Sequence, residues 1–268
     1  MRPIGDPSGW QLEGSAPELY ERYLVPAVTL PWARDLVDRA RIRRCERVLD
    51  VGCGTGVVAR VAAARVGRSG RVVGLDLNSG MLEVARAAAP ELEWVEGSAL
   101  ALPFDDGEFG VVVCQLGLQF FEDRLGALRE MRRVVADGGR AVASVFTSIE
   151  RNPAALALSD ALDRHFGDGA SHAKRSEHSL ASAEELRRLC TAAGFSSTRV
   201  DTVSLTVRFS SVQEWVGIQL AATPLAALAA RDDAAARVSE DVGESLAAFV
   251  QDGSFAFPQE VHVALATL

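Results

Sequence analysis

Cysteine is scarce in this chain and scattered: Cys45, Cys53, Cys114 and Cys190 form no C-x-x-C pair, and no histidine group has metal-ligand spacing. A disulfide framework and a zinc site are therefore not expected, and the cysteines read as small, reduced core residues. Long hydrophobic runs are missing too. No uninterrupted apolar stretch approaches the ~18 residues of a membrane span, and the opening MRPIGDPSGW lacks the charged-then-apolar order of a secretion signal. A cytoplasmic chain with no membrane partner is the expectation. Nor is there an excess of positive charge. Lys and Arg total 28 against 36 Asp and Glu, giving a net charge of −8 and a pI near 5.1, which argues against nucleic acid as a partner. The one basic cluster, Arg41, Arg43, Arg44 and Arg47, reads as a solvated helix end.

What the chain does have is glycine in a particular place. In Arg47 to Gly56, RVLDVGCGTG, a short apolar strand runs into Gly52, Gly54 and Gly56 at every second position and then into a helix. Glycines there let backbone approach a ligand closely, and the following helix turns its unpaired N–H groups towards an anionic part of it. A dinucleotide fingerprint would need its third glycine where this chain has Val57. A second apolar strand, RVVGLDL at Arg71 to Leu77, ends on Asp76, at the usual distance for a carboxylate that binds a ribose. Asp50 reads as a brace for the glycine loop.

With 268 residues, 48% of them hydrophobic, the chain is long enough for one α/β domain and an elaboration. Residues 1–40 read as an arm and covering helices: Pro17 opens a helix in which Tyr20 and Tyr23 share a face, Pro26 and Pro31 interrupt it, and a helical pattern resumes at Ala33. Trp10, Tyr20 and Tyr23 either pack the arm down together or leave Tyr20 to meet a ligand. In residues 41–148 strands at 48–51, 71–76, 92–95, 109–114 and 140–146 alternate with helices at 56–66, 79–88 and 124–135, the pattern of a doubly wound parallel sheet. Asn78 is placed to cap the second of these helices. In residues 149–268, Asn152 and Pro153 start a helix, GDGASHAKRSEH reads as a polar, mobile loop to His178, and Ser182 with Glu185 forms a capping box. Val203, Leu205, Val207 and Phe209 make a strand exposed on one face. A second capping box, Ser211 with Glu214, opens an insert to residue 252 before a last strand at 260–267. Inserts at about 152–178 and 211–252 are expected to cover the sheet's carboxyl edge, which leaves room for a homodimer interface there.

The glycine loop resembles motif I of the class I S-adenosylmethionine-dependent methyltransferases. EGSALALPFDDGEFGVVVCQLGLQFFEDRLGALREMRRVVADGGR is similar to a segment found in the branch containing quinone-biosynthesis and natural-product enzymes. This resemblance implies a mostly parallel seven-stranded sheet with a helical cap, S-adenosylmethionine as cofactor, S-adenosylhomocysteine as product, no metal, and a small-molecule acceptor; the apolar faces of the two inserts point to a mostly hydrophobic one carrying a hydroxyl or amine. It implies Gly52 and Gly54 along the methionine and ribose, Asp76 on the ribose hydroxyls, Leu77 and Met81 near the adenine, Gln115 near the reacting end, and Tyr20 in the covering segment. Ser98 stands where the family commonly has Asp for the adenine amino group, which shifts weight to the backbone N–H of Ala99; Gly110 replaces a usual acid. Gln119 and Phe120 fall where the family places acceptor-facing residues. His165, His172, His178 and His262 all stay open as a general base. A non-catalytic adenosyl-binding protein is the alternative that the resemblance leaves open.

Overall fold

The computed structural model describes residues 15–225, 234–251 and 253–268. Its strands are β1 (Arg47–Val51), β2 (Arg71–Asp76), β3 (Glu93–Glu96), β4 (Phe109–Gln115), β5 (Val135–Phe146), β6 (Ser197–Phe209), β7 (Val250–Gln251) and β8 (Ser254–Thr267). They form one sheet in the order β3-β2-β1-β4-β5-β8-β6, with the two-residue β7 pairing off this path with β8. The first five run parallel, and β8 is antiparallel to both its neighbours. The chain builds outwards from β1 to β3 and then crosses back to β4. A crevice therefore opens at the carboxyl ends of β1 and β4, where ligands bind in open α/β sheets.

Strand periodicity sorts the core into two layers. Val48, Val72, Val111 and Val142 face one cluster, and Leu49, Val73, Val112 and Ala141, each adjacent in its strand to one of these, face the other. The first cluster is covered by α2 (Leu30–Arg39), α3 (Val57–Val66) and the cap; the second by α5 (Arg124–Val134) and α8 (Ala183–Ala192). Each large aliphatic side chain buried this way contributes about 1.5–3 kcal/mol. No helix among the described residues is long and apolar enough to cross a membrane.

Beneath the glycine loop lies Trp94 of β3. Its indole N–H donates to Ala89 O at 2.9 Å, and its ring occupies the space that side chains at Gly56 and Gly74 would need: an added Cβ would come within 2.1 Å and 2.4 Å of it. The small residues at both positions are thus a packing requirement.

The prolines of the N-terminal segment do not interrupt it. The helix α1 (Ala16–Leu19) continues through Tyr20–Thr29 into α2. In the middle stretch the turns are widened, with Leu30 N bonding back five residues to Val25 O, and this accommodates Pro26. Pro31 sits in the first turn of α2, directly after these widened turns. Trp32 Nε1 donates to Gln259 Oε1 at 2.6 Å and ties the segment to β8. Trp10 lies outside the described residues. Cys53, Cys114 and Cys190 are buried, whereas Cys45 is exposed in a left-handed turn.

The cap consists of α6 (Pro153–Phe166), α7 (His172–Ser176), α9 (Val212–Ala221) and α10 (Ala234–Ser245). Ser182 and Ser211 accept from Glu185 N at 3.2 Å and Glu214 N at 3.0 Å, as the capping boxes require. Asn152 does not cap α6. Its amide oxygen accepts from Glu260 N at 2.9 Å and its nitrogen donates to Thr147 Oγ1 at 3.0 Å, pinning the insert to β8.

The segment 167–178 is not the irregular polar loop expected. It contains α7, and Lys174, the only lysine of the chain, is buried there. The ammonium donates to both Glu177 oxygens, at 2.9 and 3.0 Å, and to Gln219 Oε1 of α9 at 2.9 Å. A buried cation so partnered joins the two inserts, and the Asp241 carboxylate of α10 joins them again by binding His165 Nε2 at 2.9 Å.

The last two pairing strands also start earlier than expected, at Ser197 and Ser254. Phe255 and Phe257 pair with Phe209 and Val207, and Trp215 of α9 packs edge-on against both phenyl rings at 5.7 and 5.4 Å. Pro258 obscured this extension in the sequence. It is tolerated because β5 pairs with β8 only from Val261 onward.

Gly56→Ala should cost about 2–4 kcal/mol, combining a left-handed backbone with overpacking against Trp94. Gly138→Ala, at a similar positive φ with nothing within 4 Å, should cost less than half as much. Urea denaturation of both variants measures the difference.

Candidate functional site

Gly52, Gly54 and Gly56 adopt φ of 68°, 56° and 84°, so the loop after β1 is left-handed where it turns. An added Cβ at Gly54 would meet nothing within 4 Å, because that position faces a cavity. Asp76, at the end of β2, holds the loop: Oδ2 accepts from Gly54 N at 2.7 Å and Oδ1 from Asn78 N at 2.8 Å. Asn78 caps α4 (Ser79–Ala88) through Met81 N at 3.0 Å. Asp50 is almost fully buried and its Oδ2 accepts from Ala59 N at 3.0 Å. It thereby braces the start of α3.

Both carboxyls are strained electrostatically. Burial pushes Asp50 up to about 7, and the neighbouring Asp76 pushes it the same way against the Ala59 hydrogen bond. Asp76 is also raised by burial, against hydrogen bonds from Asn78, Gly54 and Leu77.

The cavity at the ends of β1, β2 and β4 measures about 470 Å³, within the range of small-molecule sites. Tyr20, Gly52, Gly54, Asp76, Leu77, Met81, Ser98, Ala99 and Gln115 all line it. Leu77 is a largely exposed rim residue and Met81 a buried floor. Ser98 Oγ accepts from Leu100 N at 3.1 Å and so shapes its own turn. Gln115 Nε2 donates to Thr29 O at 3.0 Å; its Oε1 and the hydroxyl of Thr55 are buried in the wall with no partner among the described residues. Burial pushes the Tyr20 hydroxyl up to about 12.

Phe120 lines this cavity, and Gln119 does not. Leu118–Phe120 forms a single tight turn, in which successive side chains diverge, so Gln119 is turned inwards and its Nε2 donates to Leu116 O at 2.9 Å. Leu116 itself was missed. It carries a φ of 51°, a conformation that costs a non-glycine residue about 1–2 kcal/mol. Nothing in its residue type signals this. It is held by Leu116 N donating to Ser144 O at 2.9 Å and Ser144 Oγ at 3.2 Å.

Tyr20, Thr29, Leu116 and Phe120 are also walls of a second cavity of about 110 Å³. It lies under the cap, between Leu24, Phe146, Trp215 and Phe257, with Lys174, Glu177, His178 and Gln219 as its polar side. The other histidines lie elsewhere. His165 binds Asp241, His172 is exposed, and His262 is bound at both nitrogens, by Thr202 Oγ1 at 2.9 Å and Ala181 O at 3.0 Å.

A left-handed glycine loop leaving β1, an acid at the end of β2 and a cavity at the switch point define a nucleoside-binding Rossmann-like protein. Residues 49–143 match the methyltransferase domain family. Over 193 residues the chain is 31% identical to the ubiquinone/menaquinone biosynthesis C-methyltransferase of Edwardsiella ictaluri, covering 65% of this chain and 75% of that protein. It is 42% identical over 113 residues to the 2-phytyl-1,4-naphtoquinone methyltransferase of Thermosynechococcus vestitus, covering 41% of this chain and 50% of that protein; the match thus spans half the length of that relative. Among solved structures, the YcgJ protein of Bacillus subtilis shares the fold with a TM-score of 0.60 at 20% identity, over 88% of this chain and 97% of that one. The phosphoethanolamine N-methyltransferase 2 of Haemonchus contortus does so with a TM-score of 0.64 at 15% identity, over 100% of this chain and 61% of that one. The chain belongs to the S-adenosylmethionine-dependent methyltransferases. The cavity fits that cofactor: it offers an open glycine position, carboxylate acceptors, the orphaned Gln115 Oε1 and an apolar rim at Leu77 and Met81.

The raised Asp50 sets a pH dependence. Between the ordinary carboxyl value of 3.8 and about 7 the folded protein keeps a proton that the unfolded chain has lost, so this contribution to stability is full below the lower value and lost as pH rises through the upper. Asp50→Asn keeps an acceptor for Ala59 N without the ionisation. Relative to wild type it should flatten the stability slope over that window and be more stable at pH 8, by on the order of 2–4 kcal/mol. Urea midpoints of the cofactor-free proteins between pH 4 and 8 test this.

Proposed function

We propose that this chain transfers a methyl group from S-adenosylmethionine to a mainly hydrophobic, quinone-like small molecule bearing a hydroxyl on an aromatic ring. The observation that carries this reading is the second cavity, which shares Tyr20, Thr29, Leu116 and Phe120 with the cofactor-sized one and is otherwise mostly apolar. The names of the two relatives, one a naphtoquinone methyltransferase and the other a ubiquinone/menaquinone biosynthesis C-methyltransferase, support the acceptor class. They also add ring carbon to the hydroxyl or amine expected from the sequence as the receiving atom.

In this reading Gly52 and Gly54 run along the methionine and ribose, Asp76 accepts from the ribose hydroxyls, Leu77 and Met81 flank the adenine, and Ser98 and Ala99 meet its amino edge. Gln115 lies towards the reacting end, and Phe120 forms the wall between cofactor and acceptor. Bound S-adenosylmethionine supplies an electrophilic methyl group on a positively charged sulfur. The residues of the chain orient the acceptor towards it and keep water out, and proximity of this kind is worth up to about 7–11 kcal/mol of barrier.

Incubation of the full chain with S-adenosylmethionine and a 2-prenyl-1,4-dihydroxynaphthalene should yield S-adenosylhomocysteine and a singly methylated product by mass spectrometry. Cofactor binding without turnover on this or other hydroxylated aromatics would leave an adenosyl-binding protein instead. Asp76→Ala should weaken S-adenosylmethionine binding by about 1.5–3 kcal/mol, the loss of a charge-assisted hydrogen bond. Wild-type affinity of a folded Asp76→Ala protein by calorimetry would remove Asp76 from the site.

A further inference from the structure

The second cavity contains one basic atom that the fold has left uncommitted. His178 is buried at the end of the first cap insert, with its ring 5.2 Å from that of Phe146. One ring nitrogen, Nδ1, lies 2.7 Å from Thr147 O. A carbonyl only accepts, so Nδ1 carries the hydrogen and Nε2 carries the lone pair. Nε2 has no hydrogen-bond partner among the described residues, and the side chain lines the cavity that the proposed acceptor would fill.

We infer that His178 Nε2 receives the hydroxyl proton of the acceptor during methyl transfer. This rests on the function proposed above and deepens it by naming the general base.

The other groups on this wall do not serve. Both Glu177 oxygens are committed to the Lys174 ammonium, and Tyr20 would first have to lose a proton held up to about 12. The surroundings keep His178 neutral: burial is the largest influence and Lys174 acts with it, while the Thr147 hydrogen bond and Glu150, in the turn after β5, act against it, for a value of about 4. Glu177, the remaining charged group on that wall, is neutralised by its pair with Lys174.

A base so weak is still sufficient, because the acidity of the acceptor changes during the reaction. A phenolic hydroxyl starts near the ordinary value of about 10. As the acceptor's electron pair forms its bond to the methyl carbon and the carbon–sulfur pair stays on sulfur, positive charge reaches the acceptor and its O–H becomes strongly acidic. The proton then passes to Nε2 and the O–H electron pair stays on oxygen, giving an ether if oxygen was methylated, or a carbonyl if the ring carbon was. In the second case the carbonyl regains its hydroxyl when the ring carbon loses its hydrogen. The low basicity of His178 returns the proton to solvent and resets the site.

His178→Asn separates the two nitrogens. The Asn amide can still donate to Thr147 O in place of Nδ1–H, while the Nε2 lone pair is gone. With S-adenosylmethionine and 2-prenyl-1,4-dihydroxynaphthalene, turnover should fall by about 10²–10⁴-fold, with S-adenosylhomocysteine affinity within about 2-fold of wild type, as for any hydrogen bond outside that site. A binding measurement independent of turnover uses the same probe and 2-prenylnaphthalene, which lacks the hydroxyls, each with S-adenosylhomocysteine present. Wild type should prefer the hydroxylated probe by roughly 5–10-fold, and His178→Asn should not. In ¹⁵N-histidine spectra of wild type, the Nε2 resonance of His178 should move with the hydroxylated probe alone, a readout that survives even if the variant does not fold. Unchanged turnover in a folded His178→Asn protein, or an unmoved Nε2 resonance on binding, would make His178 a structural residue only. Failure of wild type to methylate would overturn the proposed function and this inference with it; wild-type turnover matched by the variant would overturn only the inference.

Discussion

The contact on which the site depends is the 2.7 Å hydrogen bond from Gly54 N to Asp76 Oδ2. It crosses from the loop after β1 to the end of β2 and joins Gly52 N and Cys53 N, which donate to Leu75 O at 2.8 and 3.0 Å. The loop is thus fixed from one side by the neighbouring strand and from below by Trp94, which fills the volume that larger residues at Gly56 and Gly74 would need. With the loop held, α3 departs in one direction and the carboxyl edge of the sheet stays open. A carboxylate that shapes a cavity while facing into it can act on a ligand without moving.

That arrangement has an electrostatic cost. Burial raises the tendency of both Asp50 and Asp76 to hold a proton, and the Asp76 carboxylate adds to it at Asp50. A core built for stability alone would replace one of them with an apolar residue. Their retention beside an orphaned Gln115 Oε1 is what a pocket for a ligand with hydroxyls and positive charge requires, since such a ligand relieves both the repulsion and the missing hydrogen bonds.

The cap obeys a different constraint. Two inserts separated in the chain must meet over the sheet without filling the space between, and a buried ion pair does this through direction. The Lys174 ammonium points its donors at Glu177 and at Gln219 on the other insert, while Asn152 and Trp32 fasten the surrounding helices to β8. The aromatic cluster of Phe209, Trp215, Phe255 and Phe257 closes one end. What remains is a cavity with aromatic and aliphatic walls and a few polar side chains, His178 among them.

Strand and helix alternation, the glycine spacing, the acid ending β2 and the caps at Asn78, Ser182 and Ser211 were determined by the sequence itself. Each depends on a period of two or of 3.6 residues, or on a hydrogen bond made within one turn, and such interactions are short in the chain. Even so, Asn152 has the local pattern of a cap and is claimed by β8 instead. Only the tertiary structure decided that Phe120 faces the cavity and Gln119 does not, that Leu116 is left-handed, that β8 runs on past Pro258, that a lysine in a polar stretch is buried, and which histidine lines the second cavity. The physical reason is distance along the chain. Lys174 and Gln219 are 45 residues apart, and His178 and Thr147 are 31 apart. Whether a polar side chain is solvated, buried or catalytic is settled by partners brought from that far away, and no local pattern carries that information.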